Sequence, residues 1–307
     1  MNETAAGRAS PIPSPIATGL GEVRSWGEGS PGTSRHPELA ATSRNRANDR
    51  STAIWWVIVA IIVVFLFAPV VVMLLFSFNA ASTTALPFAG FSLRWYRQAF
   101  GDPLVIAALL NSVRVALVVA LFTCLTGTSA AFALSRHRSR WLDAFTVFVT
   151  APLILPALFL GIALLSFYTQ IGLKPTLWTA AIGHALVTLP FVIVIVNARL
   201  LRLDRSIEEA ARDLGATAFQ SFRLVVFPLI APALLGAVLI VVAWSFDELV
   251  ITFFTSGGEQ TLPVRIWGML RRGIDPSVNA MASIILVTTI ACTLLAGRFI
   301  SGREIAR

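Results

Sequence analysis

Arg199-Leu-Leu-Arg202-Leu-Asp204-Arg205-Ser206-Ile-Glu208-Glu209-Ala210-Ala211-Arg212-Asp213-Leu214-Gly215 opens a polar island that runs to Pro228 between two long apolar runs. Four arginines and four acids crowd this opening stretch, in a chain that is 56% hydrophobic and only 13% charged. A turn between membrane helices needs no such density of charge, so the island is expected to meet something outside the bilayer. Ser206 and Glu209 have the spacing of a capping box, which predicts a helix start. Gly215 follows the helix-forming run 209–214 and suits a left-handed helix end. Thr217 and Gln220 repeat the capping-box spacing, and Phe219, Phe222 and Leu224 give the next turn an apolar side. Two short helices joined at Gly215 and leading into Pro228 are the expectation.

Outward from the island lie six apolar runs, near 54–77, 105–134, 142–168, 177–198, 229–254 and 278–300. Each approaches or exceeds the roughly 20 residues that span a bilayer. The composition therefore predicts an all-α membrane protein with six transmembrane helices over residues 53–307. Pro152, Pro156 and Pro190 interrupt the third and fourth runs and predict local bends there. Residues 1–52, rich in Pro, Gly, Ser, Thr and Arg, read as a disordered tail. The net charge of +8 is unevenly placed. Seventeen of the 24 basic residues fall in the tail, in the 135–141 and 199–223 loops and at the C-terminal end. Six fall in the alternate loops, and Arg114 lies within the second span. By the positive-inside rule, both termini and the island face the cytoplasm. That loop-by-loop placement is an orientation signal and lacks the aromatic-interleaved basic stripes that bind nucleic acid.

Little in the spans suggests catalysis. Cys124 and Cys292 lie in apolar runs and read as packing residues, and the three histidines lack metal-ligand spacing. No phosphate-cradling G-x-x-x-x-G-K-[ST] occurs, so no bound cofactor is expected and ATP, if used, is hydrolysed by a partner. A polytopic membrane enzyme would need paired reactive groups on different spans. Asp247 and Glu248, the only acids well inside an apolar run (Asp143 stands at the edge of the third), are adjacent and on one helix would point about 100° apart. An ion-coupled carrier would show matched broken repeats, and none is evident. The two acids would lie about 26 Å along the fifth span, in its outer part. Asn111, Ser112 and Arg114 are polar residues of the second span, and Arg114 is a candidate partner for Asp247. His184 reads as an interhelical hydrogen-bonding group, and Trp95 and Trp267 as interfacial aromatics.

Glu209-Ala210-Ala211, three residues, Gly215, nine residues, then Val225-x-Phe227-Pro228 resembles the EAA loop of bacterial ABC importer permeases, EAA-x3-G-x9-I-x-L-P. Val225 and Phe227 are conservative departures. The resemblance covers about residues 54–300. It implies a type I importer permease bundle in the inner membrane, with a cytoplasmic coupling helix seated on a dimer of ATP-hydrolysing subunits. A second homologous permease and an extracytoplasmic substrate-binding protein are implied as further partners. Glu208, Glu209, Ala210, Ala211, Gly215 and Pro228 are then the coupling residues. The last third is most similar to the second permease of spermidine/putrescine-type importers, through Ser245-Phe246-Asp247-Glu248, Thr261-Leu262-Pro263-Val264 and Asp275-Pro276-Ser277-Val278-Asn279-Ala280. This implies a solute pathway bearing Asp247, with Glu248 beside it and Trp95 as a substrate contact. Where polyamine-type permeases carry an acid after the second proline of the third span, this chain has Ala157. Polyamines, other small amines, opines and organic anions therefore all stay open.

Overall fold

A computed structural model describes residues 37–81, 88–137, 139–272 and 275–301, with side chains from Ile54 to Ile300. The chain divides at Ile62 into two units, residues 1–62 and 63–307. Helix α1 spans Pro37–Ser77, and its apolar stretch Ile54–Ser77 is long enough to cross a membrane. Residues 37–52 are thus helical where composition predicts no order. Proline is pre-set for a first helical position, and Glu, Leu, Ala and Ala follow it. The remainder of the expected tail, 1–36, lies outside the described residues.

A short helix α2 (Arg94–Gly101) precedes α3 (Pro103–Arg136), which starts where the Asp102 carboxylate accepts the Leu104 N–H at 2.8 Å. The expected third span is corrected. Helix α4 (Arg140–Thr150), a 3-10 turn (Ala151–Leu153) and α5 (Ala157–Gln170) replace one kinked rod, with a bend of 105° between the two halves. Pro152 and Pro156 lack N–H donors, and Pro156 disfavours helical geometry at Leu155, so the ladder breaks completely. Helix α6 (Leu177–Leu201), by contrast, runs unbroken past Pro190.

Beyond α6 come α7 (Arg205–Asp213), α8 (Ala218–Ser221), a π-turn (Phe222–Val226) and α9 (Phe227–Asp247). They are followed by α10 (Val250–Thr255), α11 (Leu262–Leu270) and α12 (Ser277–Ser301). Five helical stretches can cross a membrane unbroken, and the bent α4–α5 pair makes six if counted as one crossing. The fifth begins and ends earlier than its apolar run, at Ala218–Asp247. Pro228 cannot donate to the carbonyl four residues back, and the helix widens ahead of it so that Phe227 N–H reaches Phe222 O.

The core lies where α3, α6 and α9 meet, around Val119, Val192, Val196, Ile230 and Val241. Gly127 permits the α3–α6 approach, since a Cβ there would lie 2.8 Å from the Val192 side chain. Close backbone approach through small residues is the usual means of packing helices in lipid, where no hydrophobic force draws them together. Leu117, Leu121 and Leu125 on the outer side of α3 remain exposed, as a lipid-facing surface requires.

Candidate functional site

Two ends of the bundle carry the expected functional residues. At one end the polar island folds into α7 and α8. Asp204, not Ser206, caps α7, accepting the Ser206 N–H at 2.9 Å. That bond holds the Asp204 carboxyl below the usual carboxylate range. The Ser206–Glu209 box is therefore corrected: Ser206 lies inside the first turn, and the acid two residues earlier takes the donor. Gly215 adopts φ +89°. Its N–H and that of Ala216 bond back to the carbonyls of Arg212 and Ala211, closing the helix end in a left-handed turn. The second box forms as expected, with Thr217 Oγ1 accepting from Gln220 N–H and Gln220 Oε1 from Thr217 N–H.

Glu208 and Glu209 part company. Glu209 and Ala210 are exposed, and so are Ile207, Leu214 (90%) and Phe219 (69%), which gives the segment an uncovered apolar surface outside the span. Glu208 is buried. Its Oε2 accepts from Arg136 Nη2 at the end of α3, and its Oε1 accepts from Arg212 Nη2 at 2.9 Å. Arg205 Nη2 reaches the Ser135 carbonyl at 2.8 Å. The role expected of Glu208 is corrected in one respect, since its carboxylate is turned inward and is not offered to a partner.

At the opposite end α9 stops at Asp247. Glu248 is extended and its Oε1 accepts the Ile251 N–H at 2.8 Å, opening α10. The two acids are thus not successive residues of one helix, and Glu248 serves as a cap in place of the expected pathway group. Asp247 remains exposed, with no hydrogen bond or ion pair to any described residue, Arg114 included. Among the described residues it is the only charged group on a cavity of about 390 Å³, walled otherwise by Thr289 and by apolar residues such as Met73, Ile266, Trp267 and Ile285. The sequence left Trp267 as an anchor; only the fold brings its indole to the same cavity as Asp247.

His184 fixes this end. Fully buried, it meets Ser245 Oγ through Nδ1 and Thr252 Oγ1 through Nε2, both at 2.8 Å, so one imidazole grips α9 and α10 on either side of the break. Its expected interhelical role is what the geometry supports. His184→Ala would remove both bonds and leave a void, a loss on the order of 3 kcal/mol. A clear drop in the thermal unfolding midpoint of the detergent-solubilised chain is expected, and an unchanged midpoint would contradict it.

The neighbouring loop is held by Ser112 Oγ accepting from Leu262 N–H (2.8 Å), Asn111 Nδ2 donating to Gln260 O (3.1 Å) and Glu259 Oε2 accepting from Leu177 N–H (3.0 Å). Asp102 pairs with Arg265 at 3.2 Å. Trp95 is buried, its Nε1–H donating to the Asn79 carbonyl at 2.7 Å. It borders a separate cleft whose rim carries Arg94, Arg265, Arg272 and Asp275. The fold does not bring Trp95 to the Asp247 cavity.

The family model described as "Binding-protein-dependent transport system inner membrane component" matches residues 123–303. Among curated relatives, the putrescine transport system permease protein PotI of Escherichia coli (strain K12) is 36% identical over 245 residues, covering 76% of this chain and 85% of the relative. The spermidine/putrescine transport system permease protein PotC of Haemophilus influenzae is 30% identical over 236 residues, covering 76% and 91%. The fold is similar to a bacterial ABC transporter that imports alginate (TM-score 0.59, 14% identity, 88% of this chain and 99% of the other). It also resembles the MetNI methionine ABC transporter (TM-score 0.54, 19% identity, 66% and 97%). With this family match and these relatives, the chain belongs to the inner-membrane permease components of binding-protein-dependent transport systems.

Proposed function

We propose that this permease passes a small cationic amine, of the putrescine or spermidine class, through a pathway that includes the Asp247 cavity. The observation that carries the reading is a lone carboxylate, unpaired within the described chain, on a wall that is apolar but for Thr289 and is shared with Trp267. An acid beside an aromatic face suits a desolvated ammonium group, which gains from both. The transport systems named for PotI and PotC support the same substrate class. Trp95 enters this reading as a structural anchor of the outer end and not as a contact of the amine.

The exposed surface of Ile207, Glu209, Ala210, Leu214 and Phe219 is the docking face for a cytoplasmic ATP-hydrolysing subunit, and a second permease completes the pathway below a binding protein. Both termini and α7 face the cytoplasm, in keeping with the basic-residue asymmetry. In a variant lacking Cys124 and Cys292, single cysteines at Gly258 and Leu214 test the orientation. External reagent should label the first and not the second, and the tagged permease should retain an ATPase subunit on purification. External labelling of Leu214→Cys, or no retained ATPase, would favour a secondary carrier or membrane enzyme instead.

A further inference from the structure

Helix α7 is joined covalently to α6 and α8, and one of its side chains reaches a third helix. Among the described residues Glu208 is the one buried carboxylate, and it reaches across 72 positions to Arg136, the last residue of α3. Further groups brace the contact. Arg212, one turn along α7, holds the other carboxylate oxygen, and Arg205 at the start of α7 donates to the Ser135 carbonyl, one of the α3 carbonyls left without a helical partner. The Arg136 guanidinium also lies over the Phe132 ring at 5.1 Å, and Phe132 meets Phe222 of the π-turn edge to face at 5.4 Å. A carboxylate set between two guanidinium groups in a partly buried site is held in place, because drawing it away from both leaves its buried negative charge unpaired.

Helix α3 is equally tied at its other end. Asp102, which caps its first turn, pairs with Arg265 of α11, and Ser112 accepts the N–H of Leu262, the first residue of α11. Pro263, Ile266 and Trp267 of α11 wall the Asp247 cavity. A helix of 34 residues is a rod about 50 Å long, and this one is fastened at one end to α7 and at the other to the cavity wall.

We propose that Arg136 and Glu208 form a latch that makes α3 the lever between α7 and the α11 wall of the cavity. A displacement of α7 then draws the end of α3 with it, and α3 carries the movement to Trp267. Glu208 is a positioning residue: it touches neither solute nor nucleotide. The inference rests on the reading of α7 as the segment that docks the ATPase.

The test uses the complete transporter in proteoliposomes that enclose ATP, with putrescine supplied outside, and uptake and ATP hydrolysis are measured together. Glu208→Gln and Arg136→Ala should each lower the solute moved per ATP hydrolysed by at least about threefold, within the range by which coupling residues shift linked sites. The reversed pair Arg136→Glu with Glu208→Arg should recover most of that ratio. A merely structural role would lower both rates together and leave their ratio unchanged. Thermal unfolding of the isolated permease gives an arm independent of any ATPase: the effects of Arg136→Ala and Glu208→Ala should be non-additive. Additive effects, an unchanged ratio in both single variants, or no recovery in the reversed pair would overturn the latch. Non-additive effects of the two substitutions, together with a wild-type permease that binds no ATPase, would leave the contact standing and overturn its role in coupling.

Discussion

Asp247→Asn is expected to cut uptake of putrescine by about 5–30-fold, equivalent to roughly 1–2 kcal/mol, while the amount of permease in the membrane stays level on immunoblots. Asparagine keeps the size and shape of the side chain, so the change isolates charge. The carboxylate stands in a cavity whose other walls are apolar or aromatic apart from Thr289, and it has no cation of its own among the described residues. A passing ammonium there loses water on entry, and a fixed negative charge offsets part of that loss. At an effective dielectric near 20 the attraction at 4 Å is about 4 kcal/mol, most of it cancelled by the carboxylate's own lost hydration. Glu248→Gln should be milder, because its amide oxygen can still accept the Ile251 N–H that Glu248 accepts now. Unimpaired uptake by Asp247→Asn, or a transported solute that proves anionic, would reduce Asp247 to a structural acid and end the amine reading.

Gly215→Val is expected to abolish most substrate-stimulated ATP hydrolysis by the assembled transporter without loss of membrane insertion. Gly215 holds φ +89°, a conformation a β-branched residue adopts at a cost of about 1–3 kcal/mol. A Cβ at this position would meet no other atom within 4 Å. Backbone strain is therefore the whole effect, confined to the turn between α7 and α8. Relief of that strain would swing Leu214 and Phe219 out of their present relation and spoil the surface they share with Glu209. Gly215→Asn is the control, since asparagine tolerates left-handed geometry, and it should keep most of the activity. Stimulation at the wild-type level in Gly215→Val would mean that the segment is only a solvated connector.

The left-handed turn at Gly215 and the Thr217–Gln220 box were legible because each depends on residues a few positions apart, whose chemistry acts locally whatever the rest of the chain does. Membrane class and the number of apolar runs were legible for a similar reason, since length and hydropathy alone decide what can cross a bilayer. The cap of α7 was misread at the sequence level because Asp204 and Ser206 both offer an oxygen, and only the backbone conformation selects between them. Pro152 and Pro156 announced a bend in the third run but not its 105°, and the stop at Asp247 was hidden because an apolar stretch reads the same whether its helix continues or turns. A carboxylate that accepts the N–H of Ile251, three residues on, gives no periodic signal. Tertiary structure alone decided that Glu208 faces Arg136, that His184 spans the break, and that Trp267 shares a cavity with Asp247. In each case the partners lie on different helices, and hydropathy records how deeply a helix is immersed but not which way it is rotated about its axis; packing among α3, α6, α9 and α11 sets that rotation.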